Sequence, residues 1–549
     1  MPTITINTKD MLAQASVPVP AGKLPEILSS LKCELECEAD GEITVDVNSD
    51  RPDLFSSEGI ARAIRYYLSG SKPYEPKRYI GAPLRLTVDP STKSIRPLIV
   101  CAAIRGIPLT SEATKQLMQL QEKLHNTYAS NRKKASIGVY DLNKVSPGFT
   151  YAALPPDEIS FVPLDCTEKM SGRQILDATP KGKDYASILA GKDLYPLLMD
   201  SKKRVLSMPP IINSEETRVT EATKDIFIDV TGLDEKAIDT CLNLMATSIL
   251  ERGGALQAVD VCYQDRTVTT PRMDRRTQRL THASVKSVSG LDMSIDDIGR
   301  LLNRMGFQSS SASLQGAIDV EVPPFRVDIL HEIDLVEDVI IAYGLNRMGP
   351  DVPKVMTFGK LLPSTRLLKR VRDLMVGSSF QEIATYVLSN REVMEDKSLL
   401  PRRSLVEIVK PISSEYTVLR DSLLPKLLQF LGCNTHISYP QRIFEYGHVV
   451  RMIEGRPINV PHLAAAMSDH KISFEQIQAV AAALFKNLSK EVKFAPHSEP
   501  VFIEGRAAKV LVEGFAVGTI GEINPQALVN FGINCPVAAF ECDMSKFAS

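Results

Sequence analysis

The most concentrated set of potential metal ligands is a run of carboxylates between residues 326 and 344. Asp334, Glu337 and Asp338 stand at positions i, i+3 and i+4, so on a helix they share one face, and Asp328 comes just before it. Such close like charges repel unless a cation or a basic group lies between them, and Mg²⁺ prefers carboxylate oxygens. A solvated acidic helix face, with the intervening apolar residues packed inward, explains the same spacing. Spacing alone leaves both interpretations open.

A second set of polar side chains lies between residues 208 and 232. The segment from Pro209 to Asn213 is rich in proline, and an apolar run from Ile226 leads into Asp229-Val230-Thr231-Gly232. Judged by residue type, these polar groups can all cap helices or form turns. The pattern therefore predicts a proline-stiffened turn, then a strand, then a turn at residues 229–232.

Composition limits the class of protein. A chain of 549 residues is too long for one hydrophobic core, and 44% hydrophobic with 24% charged residues is typical of a soluble protein. No apolar run approaches the roughly 18 residues of a membrane span, and the N-terminus resembles a strand rather than a signal peptide. We therefore expect a cytoplasmic protein without membrane contact. A net charge of −2 argues against coating nucleic acid through bulk charge.

The nine cysteines are scattered, without a Cys-x-x-Cys or Cys/His cluster. This predicts reduced packing residues rather than disulfides or a zinc site.

Helical spacing predicts the elements that position the polar groups. A helix is expected from Asp234 to Arg252, and another from about Ile329 to Tyr343 carries the acidic set. Ser294, followed three residues later by Asp297, predicts a helix start. With the β-like runs between these helices, the chain is predicted to be a mixed α+β multidomain protein.

Several ordered motifs carry a family resemblance. The run from Val322 to Ile329, continued through the acidic set to Tyr343-Gly344, closely resembles phenylalanyl-tRNA synthetase β subunits of the archaeal and eukaryotic type. Residues 48–62, 410–425, 440–447 and 521–525 also resemble that family. The chain lacks the additional C-terminal length of bacterial β subunits, in keeping with this type.

The resemblance implies four domains. These are an N-terminal α+β domain at 1–83, a tRNA-editing domain at 84–265, a small winged-helix-like domain at 266–350, and a class II synthetase-like antiparallel-sheet domain at 351–549. The last is catalytically inactive in the family; here Arg442 and Glu445 occupy a stretch similar to the second class II motif. No basic recognition helix accompanies the winged-helix-like domain, so DNA binding is not expected.

The resemblance also implies site residues and partners. It assigns Asp328, Asp334, Glu337 and Asp338 to Mg²⁺ shared with an α subunit, and it places the editing pocket at Leu198, Ser207, Asn213, Glu215, Asp229 and Thr231. The expected complex has two α and two β subunits, uses ATP, and joins phenylalanine to tRNA(Phe). The aminoacylation site would belong to the α subunit.

An editing pocket has a clear chemical purpose. An apolar phenylalanine site rejects a substrate with one added hydroxyl by only about 10²-fold, so tyrosine would be mischarged and must be hydrolysed elsewhere. Polar groups that hydrogen-bond the phenol would exclude phenylalanine from that second site. No Ser-His-Asp or Cys-His arrangement is evident, so we expect a positioned water and tRNA groups to act, with no catalytic side chain.

Two basic clusters and one departure from the family leave alternatives open. Residues 131–134 (Asn-Arg-Lys-Lys) could contact the tRNA acceptor end or form a solvated loop. The arginines at 272, 275, 276 and 279 are better explained as an exposed interdomain arm. Many family members carry histidine where this chain has Tyr140, which leaves open a structural, tRNA-binding subunit with an inactive pocket. A metal-dependent nucleic-acid enzyme centred on residues 328–338 is the third interpretation.

Overall fold

A computed structural model describes residues 2–70, 75–311, 316–350, 352–353 and 355–547. It divides into two compact units, Met1–Val352 and Pro353–Ser549. Helices and strands occur throughout both units, so the predicted mixed α+β, multidomain character is confirmed. The boundaries predicted at residues 83 and 265 lie within the first unit, and they stay predictions.

The first unit begins with a three-stranded antiparallel sheet of order β1-β3-β2. The strands are β1 (Thr3–Asn7), β2 (Cys33–Ala39) and β3 (Glu42–Val47), and the helices are α1 (Thr8–Ala15), α2 (Leu24–Ser30) and α3 (Ser57–Ser69). The side chain of Ser56 accepts the backbone N–H of Gly59 at the start of α3, and Gly70 ends that helix in a left-handed conformation.

Two further sheets form the middle of the first unit, with strand orders β10-β9-β8-β7-β4-β13-β14 and β12-β5-β11-β6. The strands are β4 (Leu84–Val88), β5 (Leu98–Arg105), β6 (Ala135–Asp141), β7 (Phe149–Leu154), β8 (Tyr195–Met199), β9 (Val205–Met208), β10 (Ile212–Asn213), β11 (Ile226–Gly232), β12 (Ala255–Gln257), β13 (Val259–Cys262) and β14 (Thr267–Thr270). The helices are α4 (Ser111–Asn126), α5 (Gly172–Ala178), α6 (Pro180–Leu189) and α7 (Glu235–Glu251).

The four-stranded sheet is buried on both faces, which explains its nearly continuous apolar strands. One face packs against α4 and α7, and the other packs against strands of the seven-stranded sheet through residues such as Tyr140, Phe149 and Phe227. The helix predicted at Asp234–Arg252 is confirmed as α7, with Asp234 as its N-cap.

The turn predicted at residues 229–232 is wrong. These residues continue β11, which pairs with β5 on one side and β6 on the other. Glycine is needed at position 232 because the backbone of Lys134 lies close by, and not because the chain turns there. A Cβ on residue 232 would lie 2.4 Å from the carbonyl oxygen of Lys134. The backbone hydrogen bonds of two neighbours therefore outweigh the turn preference of the residue types.

A small sheet of order β15-β17-β16 and three helices complete the first unit. The strands are β15 (Arg276–Thr281), β16 (Gln308–Ser311) and β17 (Ala317–Val322), and the helices are α8 (His282–Ser289), α9 (Ile295–Arg304) and α10 (Glu332–Tyr343). Ser294 caps α9 as predicted, accepting the N–H of Asp297. The helix expected from Ile329 starts three residues later, because the Asp334 carboxylate binds the N–H groups of Leu330 and His331.

The second unit contains a seven-stranded sheet of order β18-β21-β22-β26-β25-β24-β23, antiparallel except for the β18–β21 pair. Its elements are α11 (Pro363–Gly377), β18 (Gln381–Glu382), β19 (Leu388–Ser389), β20 (Val418–Leu419), α12 (Leu424–Cys433), β21 (Gln441–Ile453), β22 (Arg456–Ser468), α13 (Phe474–Asn487), β23 (Val492–Pro496), β24 (Phe502–Val512), β25 (Phe515–Ile523), α14 (Pro525–Phe531) and β26 (Val537–Asp543). Separate apolar clusters cover its two faces. Across the described parts of both units, no helix is long and apolar enough to span a membrane.

Candidate functional site

A cavity of about 350 Å³ opens beside β6, α4 and the segment that follows β9. Three predicted pocket residues line it: Ser207, Asn213 and Asp229. Tyr140 and Glu122 also line the cavity, and the sequence-based set of pocket residues had not included them. The structure therefore brings together polar groups that are up to about a hundred residues apart in the chain.

A buried chain of hydrogen bonds forms one wall of the cavity. The Tyr140 hydroxyl lies 2.5 Å from Oδ1 of Asp229 and 2.7 Å from Oγ of Ser207, and all three side chains are buried. Tyr140 has a single hydroxyl hydrogen. When Asp229 is ionised, Tyr140 donates to it and accepts the hydrogen of Ser207. Tyr140 had been noted in the sequence only as a departure from the family, and its partners there were not predictable.

Burial controls the protonation of this wall. Loss of water raises the pKa of Asp229 to about 7, although the hydrogen bond from Tyr140 and the charge of Arg96 act in the opposite direction. Burial also raises the pKa of the Tyr140 phenol, so it stays neutral. The carboxyl group is therefore the member of the chain that titrates near neutral pH.

Gly138 makes this arrangement possible. It lies opposite Asp229 in the pairing of β6 with β11, and a Cβ there would lie 2.0 Å from the Tyr140 hydroxyl and 2.3 Å from Asp229 Oδ1. Both side chains thus occupy space that any residue other than glycine would fill.

We expect Gly138→Ala to lower the free energy of unfolding by about 1–3 kcal/mol, the usual cost of overpacking a well-packed interior. Denaturant titration would measure it. Gly349→Ala is the matched control, because a Cβ at Gly349 meets nothing within 4 Å. Equal stability of the two variants would contradict the proposed close packing at Gly138.

The described residues that line the cavity do not include Leu198, Glu215 or Thr231. Leu198 is a core residue and the cross-strand partner of Ser207. Thr231 is fully buried, and its hydroxyl accepts a hydrogen bond of 2.9 Å from Nε of Arg96. Leu198 thus pairs with a wall residue, and Thr231 binds the arginine whose charge acts on Asp229.

Glu215 lies at the cavity's edge rather than inside it. Its Oε1 accepts a hydrogen bond of 2.8 Å from Nε of Arg218, which also bonds Asp165. Arg218 and Asp165 both line the cavity, so Glu215 holds a wall residue in place.

The basic segment 131–134 divides into one buried and several exposed side chains. Arg132 points inward, where it donates to the carbonyl oxygens of Pro210 and Ile211 and to Glu122. Lys133 and Lys134 are exposed, and in the described part of the chain neither forms an ion pair. The predicted nucleic-acid contact, where it involves this segment, therefore rests on the two lysines.

The four arginines between 272 and 279 are all engaged within the chain. Arg272 binds Glu235 and Asp239, Arg275 binds Glu321, and Arg279 binds Asp319. Arg276 donates to the carbonyl oxygens of residues 326 and 329. These contacts favour the interpretation as a structural arm.

Two of the four predicted metal ligands, Asp328 and Asp338, bind the side chain of Arg326. Nη2 of Arg326 lies 2.7 Å from Oδ2 of Asp328 and 2.6 Å from Oδ2 of Asp338, and all three side chains are buried. Burial alone would raise the pKa of Asp328, but the Arg326 guanidinium lowers it below its ordinary value. Arg326 thus supplies the basic group that the close carboxylates require.

The other two predicted ligands are used separately. Asp334 accepts the N–H groups that precede α10, and Oε2 of Glu337 lies 2.8 Å from Nζ of Lys32. Within the described residues, no group of three or more acidic, histidine or cysteine side chains could hold a metal ion. As placed in this chain alone, the four carboxylates therefore do not fit a common Mg²⁺ ion.

Comparison with known domains defines the class of protein. Residues 126–265 match the B3/4 domain, residues 278–345 match the tRNA synthetase B5 domain, and residues 350–544 match the phenylalanyl tRNA synthetase beta chain CLM domain. Two of the three matched domains are described as tRNA synthetase domains, and most residues that line the cavity belong to the first match, with the α4 residues of the cavity just before it. The chain is therefore of the aminoacyl-tRNA synthetase class.

Whole-chain relatives give the particular family. The chain is 40% identical to the phenylalanine–tRNA ligase beta subunit of Archaeoglobus fulgidus, over 95% of this chain and 94% of that protein. It is 37% identical to that of Methanococcoides burtonii over the full length of both. A crystal structure of an N-terminal fragment of the Pyrococcus horikoshii phenylalanyl-tRNA synthetase beta subunit is also similar, with 36% identity and a TM-score of 0.59, covering 62% of this chain and 100% of the fragment. The chain belongs to the phenylalanine–tRNA ligase β-subunit family, which confirms the resemblance found in its motifs.

Proposed function

We propose that this chain pairs with an α subunit, in a complex of two α and two β subunits, and hydrolyses mischarged Tyr-tRNA(Phe) at the cavity beside β6. The complex would attach phenylalanine to tRNA(Phe) with ATP at a site on the α subunit. The observation that carries the editing proposal is the cavity wall formed by Ser207, Tyr140 and Asp229, a buried set of hydrogen-bonding groups in a family domain.

This wall suits the recognition of a phenol. The oxygen of Tyr140 can accept the hydrogen of a substrate phenol while Tyr140 donates its own hydrogen to Asp229. Phenylalanine offers no such hydrogen, so it gains less by entering the cavity. The difference favours tyrosine, as an editing site requires.

Hydrolysis would use water rather than a side-chain nucleophile. The described residues that line the cavity include no histidine and no cysteine, and the Ser207 hydroxyl is engaged with Tyr140. A water attacking the ester would therefore be positioned by polar wall groups and by the tRNA itself. We assign no catalytic residue in this chain.

The tRNA end would approach at the exposed lysines beside the cavity. Lys133 and Lys134 follow directly on Arg132, which lines the cavity. Contacts of this kind to phosphates orient a nucleic acid without reading its sequence.

Magnesium shared with an α subunit would meet this chain at Glu337 and Asp334 rather than at the buried carboxylates. The Glu337 side chain is 55% exposed, whereas its partner Lys32 is only 14% exposed and also binds Asp50, so a metal ion at Glu337 would compete with this lysine. Most of the oxygen ligands would then have to come from the partner.

The second unit would act as a catalytically inactive support. Glu445, in the segment that resembles a class II motif, is buried and lies 2.7 Å from Nη1 of Arg420, and Thr385 donates to its other oxygen. A carboxylate held in this way serves packing rather than substrate binding.

The test is to purify the chain with its α subunit and to assay phenylalanine charging and Tyr-tRNA(Phe) deacylation separately. Both activities are expected in the complex. Asn213→Ala should slow deacylation by about 2- to 10-fold, the size of one neutral hydrogen bond, and leave charging unchanged. Asn487→Ala, in the second unit, is the matched control.

The outcomes separate the interpretations. Charging without deacylation would reduce the chain to a structural, tRNA-binding subunit. Failure to form any charging complex would contradict the partnership. Divalent-dependent cleavage of nucleic acid by the chain alone would instead support a nuclease.

A further inference from the structure

Glu122, on the α4 side of the cavity, is an ionised carboxylate that uses only one of its two oxygens to bind neighbouring side chains. Its Oε1 accepts hydrogen bonds of 2.9 Å from Nη2 of Arg132 and 3.3 Å from Nζ of Lys181. The Oε2 atom has no hydrogen-bond partner among the described residues, although Glu122 lines the cavity. The side chain is thus fixed through one oxygen and can accept through the other.

The surroundings keep this carboxylate charged. The neighbouring His125 and the guanidinium of Arg132 lower the pKa of Glu122 to about 2. Burial lowers the pKa of His125 itself to about 4, so its ring is neutral at physiological pH. The cavity therefore has an ionised carboxylate on α4 that is separate from the hydrogen-bonded chain of Ser207, Tyr140 and Asp229.

An aminoacyl ester has one group that matches such a carboxylate. Its α-ammonium is a cation with three hydrogens to donate, one bond away from the carbon that carries the ester. Hydrogen bonds between charged groups are the strong ones in proteins. A tyrosyl group that is bound both at its phenol and at its α-ammonium would present its ester in a single orientation.

We propose that Glu122 is a positioning residue that binds the α-ammonium group of the mischarged aminoacyl ester. This inference rests on the proposed editing function and extends it. Tyr140 and Asp229 would hold the phenol end of the substrate, and Glu122 would hold its amino end. The pocket would therefore prefer an aminoacyl ester whose α-amino group is free over one whose α-amino group is blocked.

The two cations beside Glu122 differ in how firmly they are held. Arg132 is 7% exposed and is committed to the carbonyl oxygens of Pro210 and Ile211 as well as to Glu122. The Lys181 side chain is 44% exposed, and a pair of this kind contributes little. The substrate ammonium can therefore bind Oε2, with the weakly held Lys181 free to move aside from Oε1 while Arg132 keeps the carboxylate oriented.

The test compares two substrates on the complete complex: Tyr-tRNA(Phe) and N-acetyl-Tyr-tRNA(Phe), which lacks the positive charge. Wild type should release tyrosine at least about 10-fold faster than N-acetyltyrosine, as expected for a charged hydrogen bond. Glu122→Gln keeps the shape and an oxygen for Arg132 but removes the charge. It should slow release of tyrosine by about 10-fold and leave release of N-acetyltyrosine unchanged.

The outcomes are distinguishable. Equal wild-type rates on the two substrates would overturn the inference without any variant, and so would an equal loss on both in Glu122→Gln, because a purely structural role affects both. Glu158→Gln, exposed and outside the cavity lining, is the control and should match wild type on both. A wild-type complex that releases neither substrate would overturn the proposed editing function itself.

Discussion

Replacing Arg326 by methionine is expected to lower the free energy of unfolding by about 3–5 kcal/mol. The substitution removes the arginine that binds the buried carboxylates of Asp328 and Asp338, and the nearby cation that remains, Arg51, is itself paired with Asp53. A buried charge that loses its partner is among the most destabilising changes known. Methionine keeps the apolar stem of the side chain but is shorter than arginine, so part of the loss would come from the contact between the guanidinium and the Phe307 ring. Urea titration monitored by circular dichroism would measure it.

Two controls separate charge from shape. The triple variant Arg326→Met, Asp328→Asn, Asp338→Asn removes both orphaned charges and should recover much of the loss. Arg279→Met removes an arginine whose pair with Asp319 is exposed, and should change stability little. A loss in Arg279→Met as large as that in Arg326→Met would contradict the importance of burial.

Magnesium provides a further check on the acidic set. If Arg326 is the native counter-ion, millimolar Mg²⁺ should leave the unfolding of the isolated wild-type chain unchanged. An increase in wild-type stability with Mg²⁺ that Asp338→Asn abolishes would show that the ion binds where the arginine now lies.

Helices with caps and apolar stripes were predictable from the sequence, because the signals that start and stop them are local. Ser294 and Asp234 cap the helices predicted to follow them. The turn predicted at residues 229–232 was wrong because strand pairing on both sides of β11 depends on residues far away in the chain. Gly232 is needed for packing against residue 134, and a single sequence does not distinguish that need from a turn.

The candidate site shows the same limit. Asp229 and Ser207 were identified through motif resemblance, but their shared partner, Tyr140, comes from a third strand. Likewise the acidic spacing on α10 correctly indicated a need for positive charge, while residue types alone could not show that Arg326 supplies it. Glu122 carried no signal at all, because its role depends on a cavity assembled from several elements.

Tyr140→Phe is expected to slow deacylation of Tyr-tRNA(Phe) by about 10- to 100-fold, the range for a hydrogen bond to a charged group. The substitution keeps the ring in the core but removes the hydroxyl that links the cavity to Asp229. A substrate phenol then loses its acceptor, whereas Phe-tRNA(Phe) loses nothing. The preference for tyrosine over phenylalanine should therefore fall with the rate.

The pH profile distinguishes this role from simple loss of packing. Because burial raises the pKa of Asp229 to about 7, the carboxylate that accepts the Tyr140 hydrogen forms only as the pH rises through that value. The ratio of the wild-type rate to the Tyr140→Phe rate should then increase between about pH 6 and pH 8, a comparison that cancels the common effect of hydroxide on ester hydrolysis. Tyr263→Phe, outside the cavity lining, is the control for loss of a tyrosine hydroxyl. A ratio that does not vary with pH, together with an unchanged preference for tyrosine, would show that Tyr140 fills space and that the phenol is recognised elsewhere.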